Sequence, residues 1–160
     1  MNYTGVGSRK TPPEILAAMT RLAEKLRAFT YVLRSGGAIG ADQAFERGAG
    51  DRKNIFYASD ATPAAIAMAA ELHPAWSRCS DYAKRLHGRN MMQVLGASLS
   101  EPSAFLICWT PDGAVKGSDC SIKTGGTATA IRAASARGVP VYNLQRAEHL
   151  ELVVEYLEGR

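Results

Sequence analysis

Cysteine is scarce in this chain. Cys79, Cys108 and Cys120 are its three cysteines, an odd number with no C-x-x-C spacing, so neither a disulfide framework nor a zinc site is expected. His73, His87 and His149 stand far apart in the sequence without metal-ligand spacing, and no metal is assigned. No apolar run approaches the roughly 20 residues of a membrane span, and the N-terminus lacks a charged-then-apolar leader. The expected location is the cytoplasm, with no membrane partner. Catalytic signatures are missing too: there is no H-E-x-x-H, no G-x-S-x-G and no Walker lysine. The strict G-x-G-x-x-G fingerprint is also absent, so an NAD cofactor is not supported and no cofactor is assigned. Charge of one sign is never concentrated. The net charge of +4 and pI near 9.1 come from scattered Lys and Arg, a balance compatible with an anionic partner but not a demand for one.

What is present is a regular alternation of strand-like and helix-like segments. Met1–Gly5 reads as a strand. Thr11, Pro12 and Glu14 then read as N-cap, first helical position and capping box, with Ile15, Met19, Leu22, Leu26 and Phe29 as one buried stripe. Tyr31–Leu33 is a strand, Ala41–Gly48 a helix and Asn54–Ala58 a third strand. Thr62-Pro63 opens a helix to Leu72, and Asp81–Ser98 forms another. Ser103–Trp109 is apolar on both faces, as a central strand requires. Residues 110–124 read as a long polar loop able to close as a lid with Lys116 and Lys123. Gly126–Arg137, Val139–Leu144 and an amphipathic helix at Ala147, Leu150, Val154 and Leu157 complete the chain. The order predicts a single α/β domain over 1–160, with a mainly parallel central sheet flanked by helices.

Three glycine-bearing turns each follow a strand: Gly5-Val6-Gly7-Ser8-Arg9, Ser35-Gly36-Gly37-Ala38-Ile39-Gly40-Ala41-Asp42, and Thr124-Gly125-Gly126-Thr127-Ala128-Thr129. Glycine lets backbone approach a ligand, and helix N-termini offer free N–H groups to anions. Together they predict a pocket for a phosphorylated ligand. Its candidate residues are Gly7, Ser8, Arg9, Ser35, Gly36, Gly37, Gly40, Gly125, Gly126, Thr127 and Thr129. Asp42 either takes a ribose hydroxyl or caps its helix. Arg89 and Asn90 suit anion and base recognition, although an internal ion pair is the usual explanation of such an arginine. Trp109 is either a stacking surface for a base or core, and His87 is a weak acid/base candidate.

In this order, and with Gly138-Val139-Pro140-Val141 after them, these motifs resemble the SLOG superfamily. That Rossmann-like group contains the DNA-processing protein A domain and the Lonely Guy nucleotide phosphoribohydrolases. The likeness spans nearly the whole chain and is nearest to small phage-type relatives of DNA-processing protein A. It implies nucleotide binding and homo-oligomers; for a phage copy, it implies capture of a host immune signal of cyclic or ADP-ribose type in the host cytoplasm. Single-stranded DNA binding, with Trp76, Tyr82 and Trp109 as stacking residues, and phosphoribohydrolase activity are the alternatives. The Lonely Guy signature G-G-x-G-T-x-x-E places a glutamate where this chain has Arg132, and Ala128 replaces a glycine. Losing the carboxylate removes the acid/base group, so binding without turnover is the expectation and no catalytic residue is assigned.

Overall fold

A computed structural model describes residues 1–159; the end of the predicted domain at Arg160 lies outside the described residues. Five strands form one sheet: β1 (Asn2–Gly5), β2 (Val32–Ser35), β3 (Lys53–Ile55), β4 (Leu106–Cys108) and β5 (Val141–Asn143). All pairings are parallel, in the order β3-β2-β1-β4-β5. Six α-helices flank it: α1 (Pro13–Ala28), α2 (Ala41–Ala49), α3 (Pro63–Leu72), α4 (Asp81–Leu95), α5 (Ala128–Ala136) and α6 (Ala147–Glu158). This is the expected α/β Rossmann-like architecture. None of the helices is long and apolar enough to cross a membrane among the described residues.

Alternation along the strands builds two cores. Ile107 and Trp109 face one way, with Tyr3 and Leu33, against Met19, Leu22 and Phe45 of α1 and α2. Leu106 and Cys108 face the other way, against Met91 and Leu95 of α4 and Ile131 of α5. A strand buried on both faces must be apolar throughout, and β4 meets that condition between β1 and β5. β1 stands at the centre of the sheet. The chain winds outward through β2 and β3, then returns to β4 on the other side of β1. The loops after β1 and β4 therefore leave in opposite directions, which opens a crevice at the carboxyl ends of the strands.

Several element boundaries differ from the sequence expectation. Thr11 does not cap α1: the N-cap is Pro12, which has no side-chain cap bond, while the Thr11 hydroxyl donates to the Ser8 carbonyl at 2.6 Å. Pro12-Pro13 starts the helix by preset φ instead. Phe29 leaves the buried stripe and is 60% exposed, since α1 ends at Ala28 and Phe29 is its C-cap. α4 stops at Leu95 rather than Ser98, where Gly96 adopts φ 79°. The expected N-cap of α3 does form, with Thr62 accepting the Ala65 N–H at 3.2 Å.

Candidate functional site

The three turns converge at the crevice between β1 and β4, where they line a cleft of about 840 Å³ with one face of α4. Of the expected site residues, Gly7, Ser8, Arg9, Asp42, Arg89, Asn90, Gly125, Gly126 and Thr127 line it. The remaining six act behind this lining. Ser35 donates from its hydroxyl to the Gly5 carbonyl at 2.6 Å. The Gly36 carbonyl accepts from Arg89 Nη1 at 2.6 Å. Gly37 lies under the Tyr57 ring, and Gly40 lies against the backbone of Ser8 and Arg9. The Thr129 hydroxyl accepts from Asn90 Nδ2 at 2.9 Å. Trp109 is 8% exposed and packs in the core with α1 and α2. Its carbonyl accepts the Ser8 N–H at 3.0 Å, so its contribution is to seat the first turn.

Asp42 decides how the first two turns are used. Its side chain is buried at the start of α2; the Ala38 N–H hydrogen-bonds its carboxylate at 3.3 Å, and the Gly36 and Gly7 N–H groups also turn toward it. Two of the three expected phosphate cradles therefore already hold a protein carboxylate at their centre. A carboxylate in the first turn of α2 complements the helix dipole while it takes up N–H groups of the loops that lead to it. Burial pushes the Asp42 carboxyl up to about 6, against the pull of Arg89 and those three N–H groups. Burial likewise lowers Arg89, opposed by Asp42.

The third turn is different. Residues 122–127 form a 3-10 segment kinked at Gly125, whose φ of 68° and ψ of −149° suit glycine alone. This kink turns the chain into α5, and nothing stands within 4 Å of where side chains on Gly125 and Gly126 would begin. Asn90 holds the turn from α4, donating from Nδ2 to the Gly126 carbonyl at 2.9 Å. Arg9, Lys10 and Lys123 border the same cleft, and none of the three forms an ion pair among the described residues. An open helix N-terminus ringed by unpaired cations suits an anion.

The segment expected as a lid is pinned. Asp112 accepts hydrogen bonds from the Thr110, Ser121 and Thr124 hydroxyls and from the Ala114 N–H. Burial alone would raise its pKa, but those bonds outweigh it and hold the carboxyl below its ordinary value. Asn143 of β5 fastens the same stretch, donating to the Thr110 hydroxyl at 2.7 Å and the Ala114 carbonyl at 2.8 Å. From this segment Pro111, Ile122, Lys123 and Thr124 reach the cleft lining.

Histidines far apart in sequence come together in space. His73, Cys79 and His87 hold their ligand-type atoms within 4.8 Å of one another, a proximity that sequence spacing does not reveal. The tautomer sets what the cluster can do. His73 Nδ1 accepts the Ala75 N–H at 3.0 Å, which places the ring proton on Nε2, 3.6 Å from Cys79 Sγ. A metal would need the lone pair that this Nε2 lacks. His87 faces the Thr129 hydroxyl through Nδ1 at 2.9 Å. Burial, then His73, Arg89 and Arg132, hold His87 down to about 4, so it is a neutral imidazole at neutral pH.

Sequence reasoning missed Gln93, which lines the cleft floor at 1% exposure. Its position four residues after Arg89 on one helix face was the available signal. Comparison of the chain with family models, curated proteins and solved structures gives no match in any of the three.

Proposed function

We propose that this chain is a nucleotide-binding protein of the SLOG type, which holds the phosphate of a nucleotide or nucleotide-derived signal on the N-terminal turn of α5. One observation carries the reading: the Gly125–Gly126 turn opens into the cleft with nothing over it, beside the unpaired Arg9, Lys10 and Lys123. The first two turns serve Asp42 instead and shape the rest of the pocket. Capture without cleavage is the leading form, since Arg132 occupies the place of the Lonely Guy glutamate. Sequestration of an immune signal by a phage-encoded copy, and assembly as a homo-oligomer, belong to the same proposal.

A second reading is hydrolysis of a nucleotide's glycosidic bond. It is favoured by Asp42, a buried cleft carboxyl raised to about 6, the poise of a general base. Thermal-shift screening separates the readings. A binder gains melting temperature with a nucleotide and returns it unchanged, whereas a hydrolase releases free base. A single-strand binder would prefer oligonucleotides, with affinity falling steeply as salt rises.

Gly126→Asp tests the site itself. Gly126 has open space around it and no positive φ, so the fold should tolerate the change. The new carboxylate would repel phosphate from the turn and abolish the ligand-induced shift. Undiminished binding in that variant would remove the α5 turn from the site.

A further inference from the structure

Gln93 is a buried amide without partners. Both Nε2 and Oε1 lack a hydrogen-bond partner, and so does Arg89 Nε one helical turn earlier. Native proteins rarely leave such groups orphaned, because each carries a desolvation penalty. The Gln93 amide and the Arg89 guanidinium meet at one place. Gln93 Nε2 and Arg89 Nη1 lie 2.4 and 2.1 Å from the position a Cβ on Gly36 would take, and the Gly36 N–H faces Asp42. Gly36 thus leaves room for three polar side chains to converge on the cleft floor.

Their chemistry is balanced. Arg89 Nε and Gln93 Nε2 donate; Gln93 Oε1 and the Asp42 carboxylate accept. A phosphate brings acceptors only and would meet Asp42 with like charge. An ammonium brings donors only and would leave both nitrogens orphaned. Two neighbouring hydroxyls bring two donors and two acceptors, which completes the set. Distance agrees: Asn90 holds the α5 turn, and Gln93 lies three residues further along α4, a rise of roughly 4.5 Å. In a nucleotide the group at that remove from the phosphate is the pentose.

We infer that Gln93 is a specificity residue which, with Asp42 and Arg89, receives the vicinal hydroxyls of a pentose whose phosphate lies on the α5 turn. This rests on the phosphate reading above. Solvent does not reach the orphaned atoms in the free protein, so the Gln93 amide rotates toward the cleft as the sugar enters. The free protein is thereby less stable than it would be with an apolar side chain at this position, and the ligand relieves the deficit.

The experiment uses Gln93→Leu, with Gln93→Met as a second variant should the first fail to fold. Melting is followed without ligand, and calorimetry measures binding of AMP, 2′-deoxy-AMP and inorganic phosphate. Filling the site with an apolar side chain should raise the ligand-free melting temperature by about 2–8 °C. The wild type should favour AMP over 2′-deoxy-AMP by about tenfold, the worth of one good hydrogen bond. The variants should lose that preference and keep their affinity for phosphate. A fall in melting temperature in both variants overturns the inference, as does a preserved ribose preference. If the wild type binds phosphate and both nucleotides equally, the inference fails while the phosphate reading stands. If it binds none of the three, both fail.

Discussion

Asp42→Asn should change how stability depends on pH, with a sign set by burial. In the folded chain the carboxyl titrates near 6 rather than at its ordinary 3.8, because burial disfavours the charged form more than Arg89 and three N–H groups favour it. Between those values the folded state binds more protons than the unfolded one, so stability falls as pH rises through that window. The full span corresponds to about 3 kcal/mol, present below pH 4 and lost above pH 6. His87 acts in the opposite direction. Its folded value near 4 lies below its ordinary 6.5, so its contribution is missing at low pH and recovered as pH rises through the same range. The two groups flatten each other in the wild type, and a single pH profile would hide both. The difference between wild type and Asp42→Asn isolates the carboxyl, since His87 is common to the two chains. Urea unfolding at half-unit steps from pH 4 to 7 should give a variant that gains on the wild type by up to about 3 kcal/mol across the series. Any bonds that asparagine fails to make with Ala38, Gly36 or Gly7 shift the whole curve without changing its slope. A difference that stays constant with pH, or that moves the other way, would refute the buried-carboxylate account.

Two other perturbations probe the architecture around the cleft. Gly36→Ala would place a methyl within 2.4 Å of Arg89 Nη1 and Gln93 Nε2, so the floor must shift. Ligand-induced melting shifts should vanish, and an unaltered nucleotide affinity would deny the floor a role. Asp112→Ala removes the acceptor shared by Thr110, Ser121 and Thr124, at a cost of about 1–3 kcal/mol. Hydrogen exchange should accelerate across residues 110–127 before the rest of the chain, and protection unchanged there would show that other contacts hold the segment.

The architecture was legible because each element carries its own signal. Apolar periodicity marked α1, Thr62-Pro63 marked the start of α3, and the double-sided apolar run at β4 announced a strand covered on both faces. Local signals failed where a competing contact was invisible. Thr11 looks like a cap, yet its hydroxyl serves the Ser8 carbonyl. Trp109 had two open roles because a one-residue change of phase moves a strand side chain from one face to the other. Only the β4 register places it among α1 and α2.

The amino-acid sequence by itself determined that strands and helices alternate, that three glycine turns follow strands, and that Arg89-Asn90 sits on a helix. These depend on periodicity, φ preferences and capping chemistry, which act within a few residues. Tertiary structure decided what the turns do. Long-range parallel pairing brings β1 and β4 together and turns loop N–H groups and Arg89 toward the Asp42 carboxyl, which occupies the first two turns and leaves the third open. It also brings His73 to His87 and sets Gln93 beside Gly36. Desolvation and donor–acceptor balance belong to the assembled cleft, since each depends on what every other segment puts there.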